Sequence, residues 1–279
     1  MQYGVFHDLP YDDYAAIAAL RSSVAEKMMA PTDAHARHDM DAPDKGDGEA
    51  LIRGRVLHTL LLEPHLLDQD YSIEREKLWN KSTKVINGGS KEKWDALKDD
   101  AEKRLVTLVS YDLFQDAQGM AESVKRHPEW QRLAPHCDKE LTIVAPVRGQ
   151  PMKVRYDLMC GETVLDIKSC REYLTDDNIR KVIEDRAYHM KAAMYLKVGR
   201  TMNLPVQKFQ WVFVENFPPY LCRFVEASEH MLAIGNRQFY ECIERYERCR
   251  SSRVWQGYDD SNISVMNLSD SYLRKNNLA

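Results

Sequence analysis

Two aspartates and a lysine stand close together in the segment KVRYDLMCGETVLDIKS, residues 153–169. In a strand, alternate side chains share a face. Arg155 and Asp157 then point one way, with Tyr156 and Leu158 opposite. In the run that follows, Asp166 and Lys168 share a face, with Leu165 and Ile167 opposite. A turn at Cys160-Gly161-Glu162 that folds the two runs together brings Asp157, Asp166 and Lys168 to one spot in otherwise apolar strands. Paired carboxylates raise each other's pKa, and charges so placed are costly without a partner. A divalent cation, which prefers oxygen ligands, relieves the repulsion. A lysine beside it can orient or deprotonate a bound water, while the cation neutralises charge on a phosphate. Asp157, an eight-residue spacer, then Asp166-Ile167-Lys168 therefore reads as a site for metal-dependent phosphodiester hydrolysis. The competing reading is two surface acids and a cross-strand salt bridge; the motif favours the first.

The elements that must position these residues are legible in outline. Residues 140–147 (ELTIVAPV), 152–159 (MKVRYDLM) and 163–169 (TVLDIKS) are short apolar runs parted by tight turns, which predicts an antiparallel meander. Residues 8–30 read as a helical entry ended by Pro31. Residues 31–50, rich in Pro, Asp and Gly, predict a long loop that orders around a ligand. Residues 50–63 have helical apolar spacing at Val56, Leu57, Leu60 and Leu61, with Pro64 after them. Gly88-Gly89 marks a loop, and residues 90–126 predict two helices. Residues 174–198 predict one long amphipathic helix, 208–214 and 220–225 two further strands, and 228–250 a closing helix. The polar tail from Ser251 has Trp255, Tyr258 and Leu268 as anchors. The order predicts an α/β core behind a helical N-terminal layer. It is read as one domain, with a mainly helical part at 1–135, a catalytic core at 136–250 and a tail at 251–279.

The segment GRVLHTLLLEP, Gly54 to Pro64, resembles the Gly…His…Leu-Glu-Pro helix of exonuclease VIII-like (RecE-type) phage nucleases, which belong to the PD-(D/E)XK superfamily. GVFHDLPYDDY resembles the opening of the same family. YHMKAAMYLKVG, Tyr188 to Gly199, resembles its Y-H-x-Q-x-x-x-Y helix: His189 and Tyr195 match, and Lys191 stands where the family has glutamine. The resemblance runs from Gly4 to about Arg250 and is strongest at 54–64, 153–169 and 188–199. It implies a mixed central sheet flanked by helices. It implies that His58 joins Asp157, Asp166 and the Ile167 backbone carbonyl in holding one or two Mg²⁺ or Mn²⁺ ions, with Glu140 as a weaker candidate and Lys168 positioning the water. Arg155, Lys153 and Lys191 are then the candidate phosphate contacts, with Ser169 and Tyr195 beside them. The implied activity is 5′-to-3′ digestion of linear double-stranded DNA from its ends, leaving 3′ overhangs for recombination. The implied partners are a single-strand annealing protein and further copies of the chain in a ring.

Bulk properties narrow the remaining classes. A net charge of −4 over 279 residues excludes binding nucleic acid by overall charge, so DNA must meet a local patch with metal ions offsetting the acids. No apolar run approaches the roughly 20 residues that span a bilayer, and the N-terminus lacks a secretory pattern; the expectation is a cytoplasmic protein with no membrane partner. The six cysteines form no C-x-x-C pair. That argues against a zinc site and against the four-cysteine iron–sulfur nucleases of this superfamily, and predicts mostly buried free thiols.

Overall fold

The computed structural model describes residues 2–43, 48–80, 85–86, 90–258 and 263–277. The chain enters through β1 (Gly4–Phe6), α1 (Tyr11–Ala16) and α2 (Ser22–Lys27). The loop expected at 31–50 is instead helical over much of its length, as α3 (Asp33–Asp41). The Thr32 hydroxyl caps it by accepting the His35 N–H, Ala36 is buried, and Arg245 bonds Asp33. Capping and tertiary anchoring outweigh a polar composition here. α4 (Glu49–Leu62) buries Val56, Leu57, Leu61 and Leu62 and stops before Pro64. After it come α5 (Leu67–Asp70), β2 (Tyr71–Ile73), β3 (Trp79–Asn80) and β4 (Val85–Ile86). The Gly88-Gly89 loop lies outside the described residues. α6 (Lys91–Arg104), β5 (Thr107–Val109), α7 (Tyr111–Arg126) and α8 (Pro128–Leu133) complete the N-terminal part.

The meander follows as β6 (Asp138–Val147), β7 (Gln150–Cys160) and β8 (Thr163–Cys170). The single helix expected at 174–198 is two, α9 (Asp176–Asp185) and α10 (Tyr188–Thr201). The break is at Ala187, whose φ of 50° is left-handed. β9 (Lys208–Glu215), β10 (Cys222–Glu226), α11 (Glu229–Ser252) and α12 (Asp270–Lys275) end the chain. Sheet order is β1-β6-β7-β8-β9-β10. β8 and β9 are parallel, joined by the α9–α10 crossover, and the other neighbours are antiparallel, so the sheet is mixed. No described helix is long and apolar enough to cross a membrane.

Each face of the sheet carries a core. One gathers Val164, Trp211 and Phe213 with α10 and α11 residues such as Met190 and Phe239. The other gathers Leu165, Ile167 and Val212 with Val56 and Leu57 of α4 and Phe114 of α7. Burial on both faces explains why β8 and β9 read as nearly continuous apolar runs.

β7 departs from strict alternation at one place. Tyr156 packs in the first core and Leu158 in the second, although they stand two residues apart. On the neighbouring strand Glu140 has a left-handed φ of 48°. The β7–β8 ladder covers only Leu158↔Leu165, Met159↔Val164 and Cys160↔Thr163. Beyond it, Leu20 takes the place of β8 beside β7, exchanging backbone hydrogen bonds with Pro151 and Lys153 at 2.9 Å each. The two strands therefore fork at Asp157.

One cysteine pair departs from the expectation of mostly buried free thiols. Cys137 and Cys160 are joined in a disulfide, because the register Asp138↔Met159 sets them side by side. A separation of 23 residues does not reveal that neighbourhood. Cys170, Cys242 and Cys249 are buried free thiols and Cys222 is a half-buried one.

Candidate metal centre

The fork collects the acids. On one side of β7, the register Lys139↔Leu158 and Leu141↔Tyr156 sets Glu140 abreast of Asp157. On the other, carrying Leu158↔Leu165 one step further sets Asp157 beside Asp166. Three carboxylates thus form a row across three strands. Where the ladder stops, the Ile167 N–H loses its strand partner, and the Asp157 Oδ2 accepts it at 2.6 Å. The Ile167 carbonyl opens toward the same gap. His58 Nε2 lies 3.1 Å from it, and the Lys168 ammonium donates to it at 3.3 Å.

His58 arrives from α4, with the adjacent Leu57 buried in the second core to fix the helix against the sheet. Its Nδ1 is 3.7 Å from Asp157 Oδ2. His58, Glu140 and Asp157 each offer a ligand atom, all within 4.8 Å of one another. Asp166 stands outside that trio: it is 9% exposed and paired with Lys168 at 2.6 Å.

Electrostatics show what the row lacks. Burial, then the Asp157 charge, pushes the Glu140 carboxyl up to about 8. Arg155 opposes this from 3.6 Å. Burial also raises Asp166; Lys168 counters that rise and Asp157 adds to it. At Lys168, burial works against the ammonium, yet Asp166 and Asp157 outweigh it and the pKa is raised. The lysine stays charged, while the carboxylates remain short of positive charge. One imidazole nitrogen and two carboxylates, with the Ile167 carbonyl beside them, form a donor set that suits a small divalent cation.

The remaining candidates separate. Arg155 is mostly buried, bonded through Nε to the Thr142 hydroxyl at 2.9 Å and through its guanidinium to the Leu9 carbonyl; it braces Glu140. Lys153 must be corrected as a phosphate contact. It is 2% exposed, and its ammonium donates to the carbonyls of Tyr14, Ala15 and Ile17 at 2.6, 2.9 and 2.8 Å. All three of its donors are then in use. The Lys191 ammonium is likewise answered by Glu26 at 2.6 Å. Ser169 is half-buried next to Lys168. The Tyr195 ring packs between Tyr156 and Phe209, with centroids at 5.9 and 6.0 Å. His189 Nε2 lies 2.6 Å from Gln238 Oε1 and ties α10 to α11. Two aromatic residues escaped the reading of the sequence. The Tyr188 ring lies 5.6 Å from the Lys168 ammonium and 5.3 Å from that of Lys191. The Tyr14 ring lies 4.9 Å from the Arg155 guanidinium and 4.7 Å from the Lys153 ammonium. Tyr188 is the first residue of the Y-H-x-Q-x-x-x-Y island, but the motif alone does not say that its ring faces Lys168.

Residues 22–262 match the family described as a PDDEXK-like domain of unknown function (DUF3799). No curated protein matches. Among solved structures, the chain is similar to a candidate exonuclease from Eubacterium rectale, with a TM-score of 0.64 and 13% identity, over 96% of this chain and 98% of that one. It also aligns with the crystal structure of SSO0001 at a TM-score of 0.29 and 16% identity, over 71% of this chain and 88% of that one. The first likeness concerns the fold, and the second carries no argument.

Proposed function

Because this chain belongs to the PDDEXK-like domain family DUF3799, we propose that it is a divalent-metal-dependent nuclease that hydrolyses DNA phosphodiester bonds at the β7–β8 fork. The observation that carries this reading is the convergence of His58, Glu140 and Asp157 within 4.8 Å, next to the Ile167 carbonyl and the Asp166–Lys168 pair. His58, Glu140, Asp157 and the Ile167 carbonyl would hold Mg²⁺ or Mn²⁺, with Asp166 beside them. Bound there, such an ion lowers the pKa of a water and neutralises charge on the scissile phosphate.

The protein groups have distinct tasks. Lys168, kept protonated by Asp166, is suited to donate hydrogen bonds to a phosphate oxygen or the attacking water. Asp166 holds that ammonium in place. Asp157 ties the Ile167 backbone at the position where its carbonyl faces the site. Arg155 and Thr142 brace Glu140 from behind.

The finer reading is 5′-to-3′ exonuclease action on linear duplex DNA, leaving 3′ overhangs for strand annealing. It is supported by the resemblance at 54–64, 153–169 and 188–199 and by a fold shared with a candidate exonuclease. A ring of subunits and an annealing partner belong to the same reading. The test is end-labelled linear duplex and a covalently closed circle, each with Mg²⁺ and then Mn²⁺, beside Asp166→Ala. Loss of 5′ nucleotides from the linear DNA, with circles intact and the variant inactive, is the expected result. Cut circles would make the protein an endonuclease. An inert wild-type protein with both metals would sink the nuclease assignment.

A further inference from the structure

Away from the carboxylate row, a cavity of about 280 Å³ lies between the α1–α2 connection, the β6–β7 turn and the end of α11. Three cations line it: Arg21, Lys153 and Arg250, with Gln150 and Tyr246 beside them. Among the described residues, none that lines it is acidic. Arg21 and Arg250 are exposed, and no carboxylate among the described residues pairs with either. Lys153 is buried, and its partners are three neutral carbonyls. Their dipoles satisfy its donors but supply no counter-charge.

Like charges gathered without an opposite one are unfavourable, most of all where one of them is buried. Lys153 registers the strain: burial, then Arg21, brings its ammonium down to about 8. The two arginines, in contrast, are free to turn their forked donors on an oxyanion, the geometry that suits phosphate. The space holds a phosphate group with several waters, each of which takes about 30 Å³.

We infer that this cavity is a phosphate-binding site, in which Arg21 and Arg250 bond the oxygens and Lys153 supplies fixed positive charge from below. The inference stands apart from the nuclease reading, because none of these residues is in the candidate metal centre. Two sources share this chemistry: a phosphodiester of bound DNA, or the phosphate of a free nucleotide. Lys153 is four residues from Asp157 on β7, roughly 13 Å along a strand, so both are sterically open.

The experiment is calorimetric titration of the full-length protein in EDTA, at constant ionic strength, with inorganic phosphate and with dTMP. A 12-base-pair duplex is titrated in parallel. Wild-type protein should bind phosphate saturably. Arg21→Ala combined with Arg250→Ala should weaken it at least about ten-fold, the equivalent of a charge-assisted hydrogen bond lost. Arg237→Ala, an exposed change on the same helix α11, should leave it unchanged, and Arg21→Lys with Arg250→Lys should restore part of the affinity. If the double alanine variant loses duplex affinity in step with phosphate, the source is DNA. If phosphate and dTMP binding fall while duplex binding holds, the source is a free phosphate. Absence of saturable phosphate binding by wild-type protein, or equal binding by the folded double alanine variant, overturns the inference. EDTA silences the metal centre, so either result leaves the nuclease reading untouched.

Discussion

Asp157 has two roles that substitution can separate. It contributes negative charge to the carboxylate row, and it accepts the Ile167 N–H left unpaired by the fork. Asp157→Asn removes the charge but keeps an acceptor oxygen. Asp157→Ala removes both and strands the N–H, which costs about 1–3 kcal/mol. In metal-free buffer, thermal denaturation should show the alanine variant clearly less stable than the asparagine variant, and both should lose the stabilisation that Mg²⁺ gives wild type. Equal melting temperatures for the two would show that the Ile167 bond contributes nothing. Glu140 adds a pH signature. Its ordinary carboxyl value of 4.5 rises to about 8 in the fold, through burial first and Asp157 second. Between those values the folded state holds a proton that the unfolded chain has released, so metal-free stability should fall as pH rises from about 4.5 to about 8. Below that window both states are protonated, and the term is constant. Glu140→Gln should flatten this slope when melting is followed in EDTA at several pH values. A slope identical to wild type would place the titration elsewhere.

At the scale of elements, one close contact fixes how α10 meets α11. A Cβ built on Gly235 would lie 2.3 Å from the His189 carbonyl oxygen and 3.0 Å from the Met190 nitrogen. Both are backbone atoms of α10, which cannot turn aside as a side chain can. Gly235→Ala should therefore push the helices apart and lower stability by about 1–3 kcal/mol, read as a drop in the denaturant midpoint without a change in slope; an unchanged midpoint would mean that the helices yield freely. The elements also show where the sequence was readable. The β6–β8 meander was legible because Gly149 and Gly161 punctuate short apolar runs, and alternation then sets Asp166 with Lys168. What escaped was every feature decided by contact across the sequence. The polar stretch at 31–50 conceals α3, which depends on Arg245 more than two hundred residues later. The break at Ala187 has no glycine or proline to announce it. Lys153 and Arg155 look like equivalent strand cations, and only the fold shows the first buried on the carbonyls at the end of α1 and the second braced against Glu140. The pairing of Glu140 with Asp157 follows from counting back from the turn at Arg148-Gly149, since the register keeps one count from Val147↔Gln150 to Asp138↔Met159; what counting misses is the loss of alternation that puts Tyr156 and Leu158 in different cores.

For the molecule as a whole, the site lies on the seam between two cores. α4 and α7 pack on one face of the sheet and α10 and α11 on the other. His58 is the α4 group that reaches the row, and Tyr188 is the α10 group near Lys168. A cation held by His58, Glu140 and Asp157 would link α4 to the central strands, so its binding energy would appear as stability of the entire chain. The size of that effect follows from mass action: at one hundred times its dissociation constant, a ligand stabilises the folded state by about 2.7 kcal/mol. His58→Ala removes one ligand while leaving Glu140 and Asp157 in place. The variant should fold, since His58 is only partly buried and its removal opens no deep cavity. Its Mg²⁺ affinity should fall at least about ten-fold, which takes about 1.4 kcal/mol from the metal-dependent stabilisation. Amide exchange gives this prediction a spatial form. In wild type, Mg²⁺ should slow exchange in α4 as well as in β7 and β8. In the variant, protection should be confined to the strands. If α4 gains the same protection without the imidazole, the helix is tied to the sheet by Leu57 and its apolar neighbours alone, and His58 is a structural residue.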